Sequence, residues 1–497
     1  MNVSGTQPAG YAHLLEKYQV VTPELTHTSR VGEVSTRRTS HAGGTLEETF
    51  PATYDPGDDD VDHLIFALKY DGTDLTALGR LFPRIDRDLL TRRIAAQPTS
   101  KYTRRLFFLY EELTGDTLPL VDLTQGRYVP ALEPDEYFVA EGRPLARYRV
   151  LDNLLGERGF CPIVRRTPSL RAAVDQDLGQ RAREITRAID PLLLARAIAF
   201  LYTKETKSSF ALEHEELSAG DRMERFLAQL AAAGERLLDS EEALTEVQRA
   251  FVDPRYGETG FRREGAHEVY VGETLGFREK VHHVGARSAS TPALMAAWAR
   301  LRPVVGPGGP VVEAACRSFG FVFIHPFGDG NGRIHRLLLH NVLAIRGYLP
   351  PRLIVPISAV LLADPQGYDH ALESVSRRIL PLIRFRLDAE GELTITGDPD
   401  DLYRTLDLTA VCEATFRWLS RAIEVDLVEE LDFLRRFDEV RARMRRIVEM
   451  PDRKEQTFIK LCLGNGGKLS ARKRELFAEL DDATLAALET LVREAMD

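Results

Sequence analysis

The chain is organised around the stretch HPFGDGNGRIHR, which occupies residues 325–336. An apolar segment at 311–324 leads into it, and an apolar segment with helical spacing at 334–345 follows it. Three glycines among five successive positions, separated by Asp329 and Asn331, disfavour the interior of a helix or a strand. The stretch therefore predicts a tight turn that follows one buried helix and ends at the N-terminus of another.

The residue types in this turn suit a phosphate-bearing ligand. Backbone N–H groups in such a turn, together with a helix N-terminus, form an anion site. Arg333 and Arg336 lie one helical turn apart and add planar donor groups that match phosphate oxygens. Asp329 is a hard oxygen ligand for Mg²⁺, and His325 is the side chain there that can take a proton near neutral pH. The set predicts phosphoryl-type transfer from a nucleotide.

The stretch matches every specified position of H-x-F-x-D-G-N-G-R-x-x-R and so resembles the signature of the Fic family. The resemblance implies an all-α fold, AMP transfer from ATP to a protein hydroxyl, His325 as the general base and Asp329 as the Mg²⁺ ligand. It also implies a nucleotide-binding set formed by Gly330, Asn331, Gly332, Arg333 and Arg336. The alternative is an ordinary connection between two helices, but such a connection does not require Asp, Asn and His in the turn.

A second short motif lies upstream. Asp190-Pro191 starts a helix expected to reach about residue 203, and a polar link leads on to residues 208–214. Ser209 and Glu213 resemble the inhibitory motif [S/T]-x-x-x-E-[G/N] of Fic proteins. In that family the glutamate reaches the second motif arginine, here Arg336, and fills the space of the ATP γ-phosphate. The chain departs from the motif at His214. The alternative is an ordinary Ser-capped helix with Glu213 in solvent.

Strand-like segments at 268–271 and 281–284 predict a β-hairpin at the position of the family's flap, which lays a target segment over the nucleotide. Nearby histidines at 267, 282 and 283 lack a fourth ligand, so surface histidines are the favoured interpretation over a metal site. Tyr368 lies where the family often has aromatics beside the adenine. A tyrosine at the edge of the core is an equally good interpretation of that position.

The overall composition limits the classes of function that the chain can have. The chain has 497 residues, of which 44% are hydrophobic, and a net charge of −10, which argues against wholesale binding to nucleic acid or to membrane surfaces. The longest apolar run, at 192–202, contains an arginine and is too short to cross a bilayer. The N-terminus lacks a signal-peptide pattern. Widely spaced cysteines without metal-ligand spacing favour reduced thiols and a cytoplasmic location.

Four domains are expected. Residues 1–60 are predicted to be an extended segment with a short helix at 11–18, and residues 61–189 a helical accessory domain. Residues 190–390 form the Fic-like core with the inhibitory motif and the flap. Residues 391–497 form a C-terminal helical domain in which 455–463 and 470–480 resemble a helix-turn-helix. A DNA contact by these helices is the less favoured interpretation; solvated charge is the favoured one.

The resemblance implies a protein adenylyltransferase that uses ATP and Mg²⁺. Its target would be a Ser, Thr or Tyr hydroxyl of a protein, including the chain itself. An apolar C-terminal stripe is mostly expected to be core, and a seam between the subunits of a homo-oligomer is the alternative. One alternative is a hydrolase in which Glu213 activates water to remove AMP. Another is a nucleotide-sensing regulator or DNA-binding protein. A P-loop kinase is excluded because G-x-x-x-x-G-K-[ST] is absent, and glycine at both 330 and 332 favours AMP over phosphate transfer.

Overall fold

The computed structural model describes residues 5–42, 44–214, 220–275, 278–388 and 390–494. Most of these residues are helical, as the all-α expectation requires, and the strands form small separate sheets. Within the described ranges, none of the helices combines the length and the apolarity needed to cross a membrane.

The N-terminal region is folded, in contrast to the extended segment expected at 1–60. The helix expected at 11–18 is present, but strands surround it. Its elements are β1 (Thr6–Ala9), α1 (Gly10–Tyr18), β2 (His27–Gly32), β3 (Arg38–Ala42) and β4 (Thr45–Pro51). The sheet has the order β1-β2-β4-β3, with a parallel pair at β2 and β4. The strands are stable because Val31 and Phe50 pack on Phe66, a partner outside the segment that no local pattern reveals.

The accessory region is mainly helical. Most of its buried hydrophobic residues up to 163 share a separate hydrophobic core, whereas Leu170, Leu178 and Ala182 pack into the core of the central region. Its helices are α2 (Asp60–Phe66), α3 (Leu75–Leu81), α4 (Arg87–Ala96), α5 (Lys101–Thr114), α6 (Pro168–Asp175) and α7 (Leu178–Arg187). A small sheet, absent from the sequence expectation, lies between α5 and α6 and consists of β5 (Val129–Pro130), β6 (Arg143–Leu145) and β7 (Val150–Asp152).

The central region contains the motif. Its elements are α8 (Pro191–Ala211), α9 (Gly220–Ala231), α10 (Glu241–Phe251), β8 (Tyr270–Leu275), β9 (Arg278–Val284), α11 (Thr291–Ala299), α12 (Gly309–Ile324), α13 (Asn331–Ile345), α14 (Ile357–Ala363) and α15 (Pro365–Ile379). β8 and β9 form the expected antiparallel hairpin, hereafter the flap. The helices α12 and α13 are buried along most of their length and pack against each other, so the motif is the turn between two buried helices.

The helix α8 is longer than expected, because it continues through the polar residues after 203 up to Ala211. One of these polar side chains is anchored by several contacts inside the protein. Glu205 is buried and accepts hydrogen bonds from the N–H and hydroxyl of Ser358, and it lies 2.9 Å from Nε2 of His340. Ser209 therefore belongs to the last turn of α8 and does not cap a new helix.

The C-terminal elements are β10 (Arg384–Leu387), β11 (Leu393–Thr396), α16 (Asp401–Arg404), α17 (Thr409–Arg421), α18 (Leu427–Ile447), α19 (Asp452–Leu463), α20 (Ala471–Arg474) and α21 (Asp482–Glu494). The core around α12 includes α17 and runs on to Leu434, past the boundary expected near 390. The helix expected at 470–480 is reduced to the short α20, whose Arg474 pairs with Glu489. The division into four domains and the DNA contact stay predictions.

Candidate active site

His325 follows the last residue of α12 and adopts a left-handed backbone conformation with φ 58°. For a non-glycine residue this conformation costs about 1–2 kcal/mol, so its surroundings must hold it there. Nδ1 of His325 lies 3.1 Å from the carbonyl oxygen of Val322. Because a carbonyl can only accept, Nδ1 carries the proton and Nε2 keeps its lone pair.

Burial lowers the pKa of His325 to about 3, and the nearby His283 acts in the same direction. The imidazole is therefore neutral at physiological pH, as a proton acceptor must be before it acts. The charge of Glu213 opposes this shift, which indicates that the glutamate lies within electrostatic reach of the histidine.

The loop after His325 is held by its own side chains. Asn331 accepts a hydrogen bond from the N–H of Phe327 at 3.1 Å and donates to the carbonyl of the same residue at 2.7 Å. The side chain of Asn331 thus shapes the loop, and only its main-chain N–H remains for a phosphate. Gly330 has φ 88°, and a Cβ there would lie 2.9 Å from Cγ2 of Val252, so a glycine is required.

Asp329 lies at the mouth of the loop, with its side chain 52% exposed. Its Oδ1 accepts from the N–H of Gly330 at 2.6 Å and lies 3.4 Å from Nη2 of Arg333. A second carboxylate, which sequence reasoning missed, is close by: Oε1 of Glu258 accepts from the N–H of Gly328 at 2.6 Å. Burial raises the pKa of Glu258, and the charge of Asp329 adds to that shift.

The carboxylate of Asp329 suits a Mg²⁺ ion that is bound to the phosphates of a nucleotide. Among the described residues no three acidic, histidine or cysteine side chains cluster in a way that could enclose a metal ion. Mg²⁺ is usually held by one or two carboxylates plus substrate phosphates, so an exposed carboxylate beside an anion loop is a suitable donor. Asp329 meets that requirement.

Arg333 is buried between two aromatic rings. Its guanidinium carbon lies 5.3 Å from the ring centre of Phe210, on α8, and 5.2 Å from that of Phe251, on α10. Cation–π contacts of this kind orient an arginine without neutralising its charge. The two phenylalanines were not among the predicted site residues, since nothing in their spacing marks them.

Arg336 meets the residues of the inhibitory motif. Its Nε donates to Oγ of Ser209 at 2.9 Å, and its Nη2 donates to the carbonyl oxygen of Ser209 at 2.9 Å and to Oε1 of Glu213 at 2.7 Å. Burial acts to lower the pKa of Arg336, but attraction to Glu213, with contributions from Tyr368 and Glu205, raises that pKa above its ordinary value. The predicted contact is therefore present, while its inhibitory role stays a prediction.

Glu213 follows the C-terminus of α8, and its side chain is 33% exposed. Burial acts to raise its pKa, but attraction to Arg336, with smaller contributions from Arg333 and His325, holds that pKa below the ordinary value. A Cβ on Gly332 would overlap with Oε1 of Glu213. The carboxylate thus lies against the first turn of α13, where the helix N-terminus attracts anions.

His214, the residue at which the chain departs from the family motif, has φ 55°. This left-handed conformation is the one that glycine and asparagine adopt most readily after a helix. The structure therefore gives a physical reason why the family motif has glycine or asparagine at its last position. In this chain a histidine adopts the conformation instead.

A groove of about 320 Å³ opens at His325 between the flap and α15. Its α15 wall includes Asp369, Leu372 and Glu373. Tyr368 does not line this groove: its ring is stacked 6.3 Å from that of His335 and edge-on at 5.9 Å to Trp418, and its hydroxyl group interacts with Arg336. The role of Tyr368 beside the adenine stays a prediction.

The three flap histidines differ in environment. His267 is exposed and lies 2.7 Å from Glu392, and His282 lies 3.2 Å from Glu273. His283 is buried, contrary to the expected surface position, and its Nε2 lies 2.9 Å from the carbonyl oxygen of Phe323. Burial lowers its pKa to about 4. It is buried because its ring packs against Phe323 of α12, a contact that the alternating pattern of the strand does not predict.

Comparison with known proteins identifies the central region. Residues 238–343, which hold the flap, His325 and α13, match the family model described as Fic/DOC family. The chain carries a Fic/DOC domain. Over 80 residues it is 39% identical to "Protein adenylyltransferase Fic" of Drosophila virilis, and over 79 residues it is 38% identical to the protein of the same name from Aedes aegypti. Each match covers 16% of this chain and 15% of the relative, so the chain spans a small part of the length of these Fic proteins.

Solved structures of Fic proteins are also similar. A Fic family protein from Desulfovibrio desulfuricans G20 has a TM-score of 0.37 and 18% identity, covering 63% of this chain and 85% of that chain. A Fic domain containing signaling protein from Bacteroides thetaiotaomicron VPI-5482 has a TM-score of 0.37 and 20% identity, covering 53% of this chain and 97% of that chain.

Proposed function

We propose that this Fic/DOC protein is a protein adenylyltransferase that transfers AMP from ATP to a Ser, Thr or Tyr hydroxyl of a protein, including a second copy of itself. The observation that carries the proposal is a neutral His325 beside a loop whose amides and arginines suit phosphates. The relatives that match this chain over 79 or 80 residues bear the name protein adenylyltransferase. Buried, unpaired cysteines are compatible with a cytoplasmic location, which is part of the proposal.

In the proposed reaction Nε2 of His325 takes the proton of the target hydroxyl. The hydroxyl oxygen attacks the α-phosphorus of ATP, a new oxygen–phosphorus bond forms, and the bond to the β-phosphate oxygen breaks. Diphosphate leaves, and His325 later returns its proton to solvent. Catalysis rests on position and electrostatics, since no covalent intermediate with the enzyme is needed.

The remaining loop groups bind the nucleotide. Main-chain N–H groups of Asn331 and Gly332 at the N-terminus of α13 suit the α- and β-phosphates, and Arg333 balances the charge that develops on diphosphate. Asp329 would hold Mg²⁺, which when bound neutralises phosphate charge. The groove between the flap and α15 has room for the nucleoside.

Autoinhibition is part of the same proposal. A γ-phosphate and the Glu213 carboxylate compete for the guanidinium of Arg336, because both present oxygens to the same donors. While Glu213 stays in place, ATP cannot lie with its γ-phosphate on Arg336. Displacement of α8's C-terminal end would release the arginine.

Incubation with α-labelled ATP tests the proposal. We expect the Glu213→Gly protein to label itself or a lysate protein strongly, and the Glu213→Gly/His325→Ala protein to lose about two to four powers of ten in rate. Identical labelling by the two variants would refute the proposal. The hydrolase alternative, favoured by the closeness of Glu213 to Gly332, requires that wild type removes AMP from the labelled product and that Glu213→Gly does not.

A further inference from the structure

The backbone of His325 is held by one buried arginine, Arg262. Nε and Nη2 of Arg262 donate to the carbonyl oxygen of His325 at 3.1 and 2.9 Å. The main-chain N–H of Arg262 donates to the carbonyl oxygen of Pro326 at 2.8 Å. Two successive carbonyl groups at the start of the loop are therefore fixed by a single residue.

The same guanidinium group reaches both ends of the flap. Its Nη2 donates to the carbonyl oxygen of Ala286, just after β9, at 2.7 Å, and its Nη1 lies 3.2 Å from Oε2 of Glu268, just before β8. Glu268 in turn accepts hydrogen bonds from the N–H and Oγ of Ser288 at 2.9 and 3.0 Å. Arg262 thus lies where the two flap strands and the loop meet.

The base of the flap also touches His325 directly. A Cβ on Gly285 would lie 3.0 Å from Cβ of His325 and 2.8 Å from Cγ2 of Val269, closer than side chains normally approach. The N–H of Gly285 donates to the carbonyl of Val269 at 2.9 Å, which closes the flap at this point. The flap base and His325 are therefore packed closely enough that a shift of the base toward His325 would displace its side chain.

The geometry requires an arginine. The side chain of Arg262 is 3% exposed, and its donors point at three acceptors in different directions. A guanidinium presents these donors in one rigid plane, whereas a lysine ammonium is a compact point charge on a flexible stem. A lysine would keep the positive charge beside Glu268, but it would leave buried carbonyl groups without a hydrogen-bond donor.

We infer that Arg262 is a positioning residue, which holds the left-handed backbone of His325 and couples it to the flap, so that target capture and placement of the base occur together. This inference rests on the proposed function, because it assumes that His325 acts as the base. Arg262 itself touches no reacting atom. A small displacement of a catalytic group lowers the rate without lowering substrate affinity equally.

The kinetic test uses Arg262→Lys in the Glu213→Gly background with α-labelled ATP. We expect kcat to fall about a hundredfold, with the KM for ATP changed by less than about twofold. The matched control is Arg263→Lys, because Arg263 is the exposed neighbour and pairs with Glu241 away from the loop. A kcat within about twofold of the parent, or a KM that rises as much as kcat falls, would overturn the inference.

A spectroscopic test separates this inference from the proposed function, since it needs no substrate. In ¹⁵N spectra of histidine-labelled protein, with the His325 signals identified by His325→Gln, we expect wild type to show the Nδ1–H tautomer alone. Arg262→Lys should show a mixture of both tautomers. Identical spectra for the two proteins would contradict the positioning role, whether or not AMP transfer is observed.

A second variant covers the case in which Arg262→Lys does not fold. Gly285→Ala keeps the arginine at 262, but its Cβ would crowd His325, Val269 and Nη2 of Arg262 and so displace the flap base. We expect a large loss of kcat with little change in the KM for ATP. A folded Gly285→Ala protein with parental kcat would refute the coupling between flap and base.

Discussion

Oε1 of Glu213 lies 2.7 Å from Nη2 of Arg336, while Nε of the same guanidinium donates to Oγ of Ser209 at 2.9 Å. The two partners come from the last turn of α8 and the segment just after it, so α8 occupies the donors of Arg336 as one unit. A phosphate that binds Arg336 must therefore displace this end of the helix. The proposed inhibition can therefore be tested by substituting several different residues.

The first prediction concerns Glu213 itself. Glu213→Gly removes a charge-assisted hydrogen bond of about 1.5–3 kcal/mol from the inhibited state, so labelling from α-labelled ATP should rise about tenfold or more. Glu213→Gln keeps an acceptor but loses the charge, and we expect intermediate labelling. Equal labelling by wild type and Glu213→Gly would show that the pair does not inhibit.

The second prediction concerns His214, which holds a left-handed conformation. His214→Asn should preserve or strengthen inhibition, because asparagine tolerates that conformation, whereas β-branched His214→Val should weaken it. A cost of about 1–2 kcal/mol for valine corresponds to labelling raised about 5- to 30-fold. In the Glu213→Gly background both substitutions should have no effect. An equal response of Asn and Val variants would exclude the backbone explanation.

The third prediction concerns the buried anchor of α8. Ser358→Ala removes a hydroxyl that donates to the buried carboxylate of Glu205, so the free energy of unfolding should fall by about 1.5–3 kcal/mol in urea titrations. Labelling should also rise, since α8 leads directly to Glu213. The control, Ser374→Ala, removes a hydroxyl that bonds only within its own helix. Unchanged stability and labelling in Ser358→Ala would rule out this anchor.

The fourth prediction concerns stability against pH. Burial lowers the pKa of His283 to about 4 and that of His335 to about 3. The unfolded chain takes up protons as pH falls through about 6.5, while the folded protein resists until these lower values. Stability should therefore be full above pH 6.5 and decline below it, by about 1.4 kcal/mol per pH unit for each histidine.

Urea titrations between pH 7.5 and 4.5 measure this decline. His283→Asn should make the decline shallower, because one buried imidazole no longer resists protonation. If the wild-type free energy of unfolding stays constant down to pH 4.5, these imidazoles are not held neutral by burial.

The fifth prediction concerns Asp329 and Mg²⁺. EDTA should abolish labelling, and added Mg²⁺ should restore it. Asp329→Asn retains an oxygen that can accept from the N–H of Gly330, so the loop should keep its shape while the metal loses a charged ligand. We expect half-maximal labelling at a higher Mg²⁺ concentration in Asp329→Asn. An unchanged Mg²⁺ dependence would show that Asp329 is not the ligand.

Much of the candidate site could be predicted because its functional residues lie close together in the sequence. Gly330 with its positive φ, an asparagine that bonds to Phe327 within the loop, and arginines one turn apart act through short-range geometry, which the order of residues records directly. The flap was predictable for the same reason, since a hairpin is local. The fold of residues 6–51 was not, because its strands depend on Phe66 of another element.

The sequence by itself determined the turn at 325–336, the helices on both sides of it and the residue types offered to a phosphate. Only the tertiary structure decided that Arg262 holds the backbone of His325 and that His283 is buried against α12, and it placed Glu213 on Arg336, a contact that the family resemblance alone had implied. The physical reason is separation along the chain: Glu213 and Arg336 are 123 residues apart, and Arg262 and His325 are 63 apart. Such contacts arise from the packing of whole helices, which no local periodicity encodes.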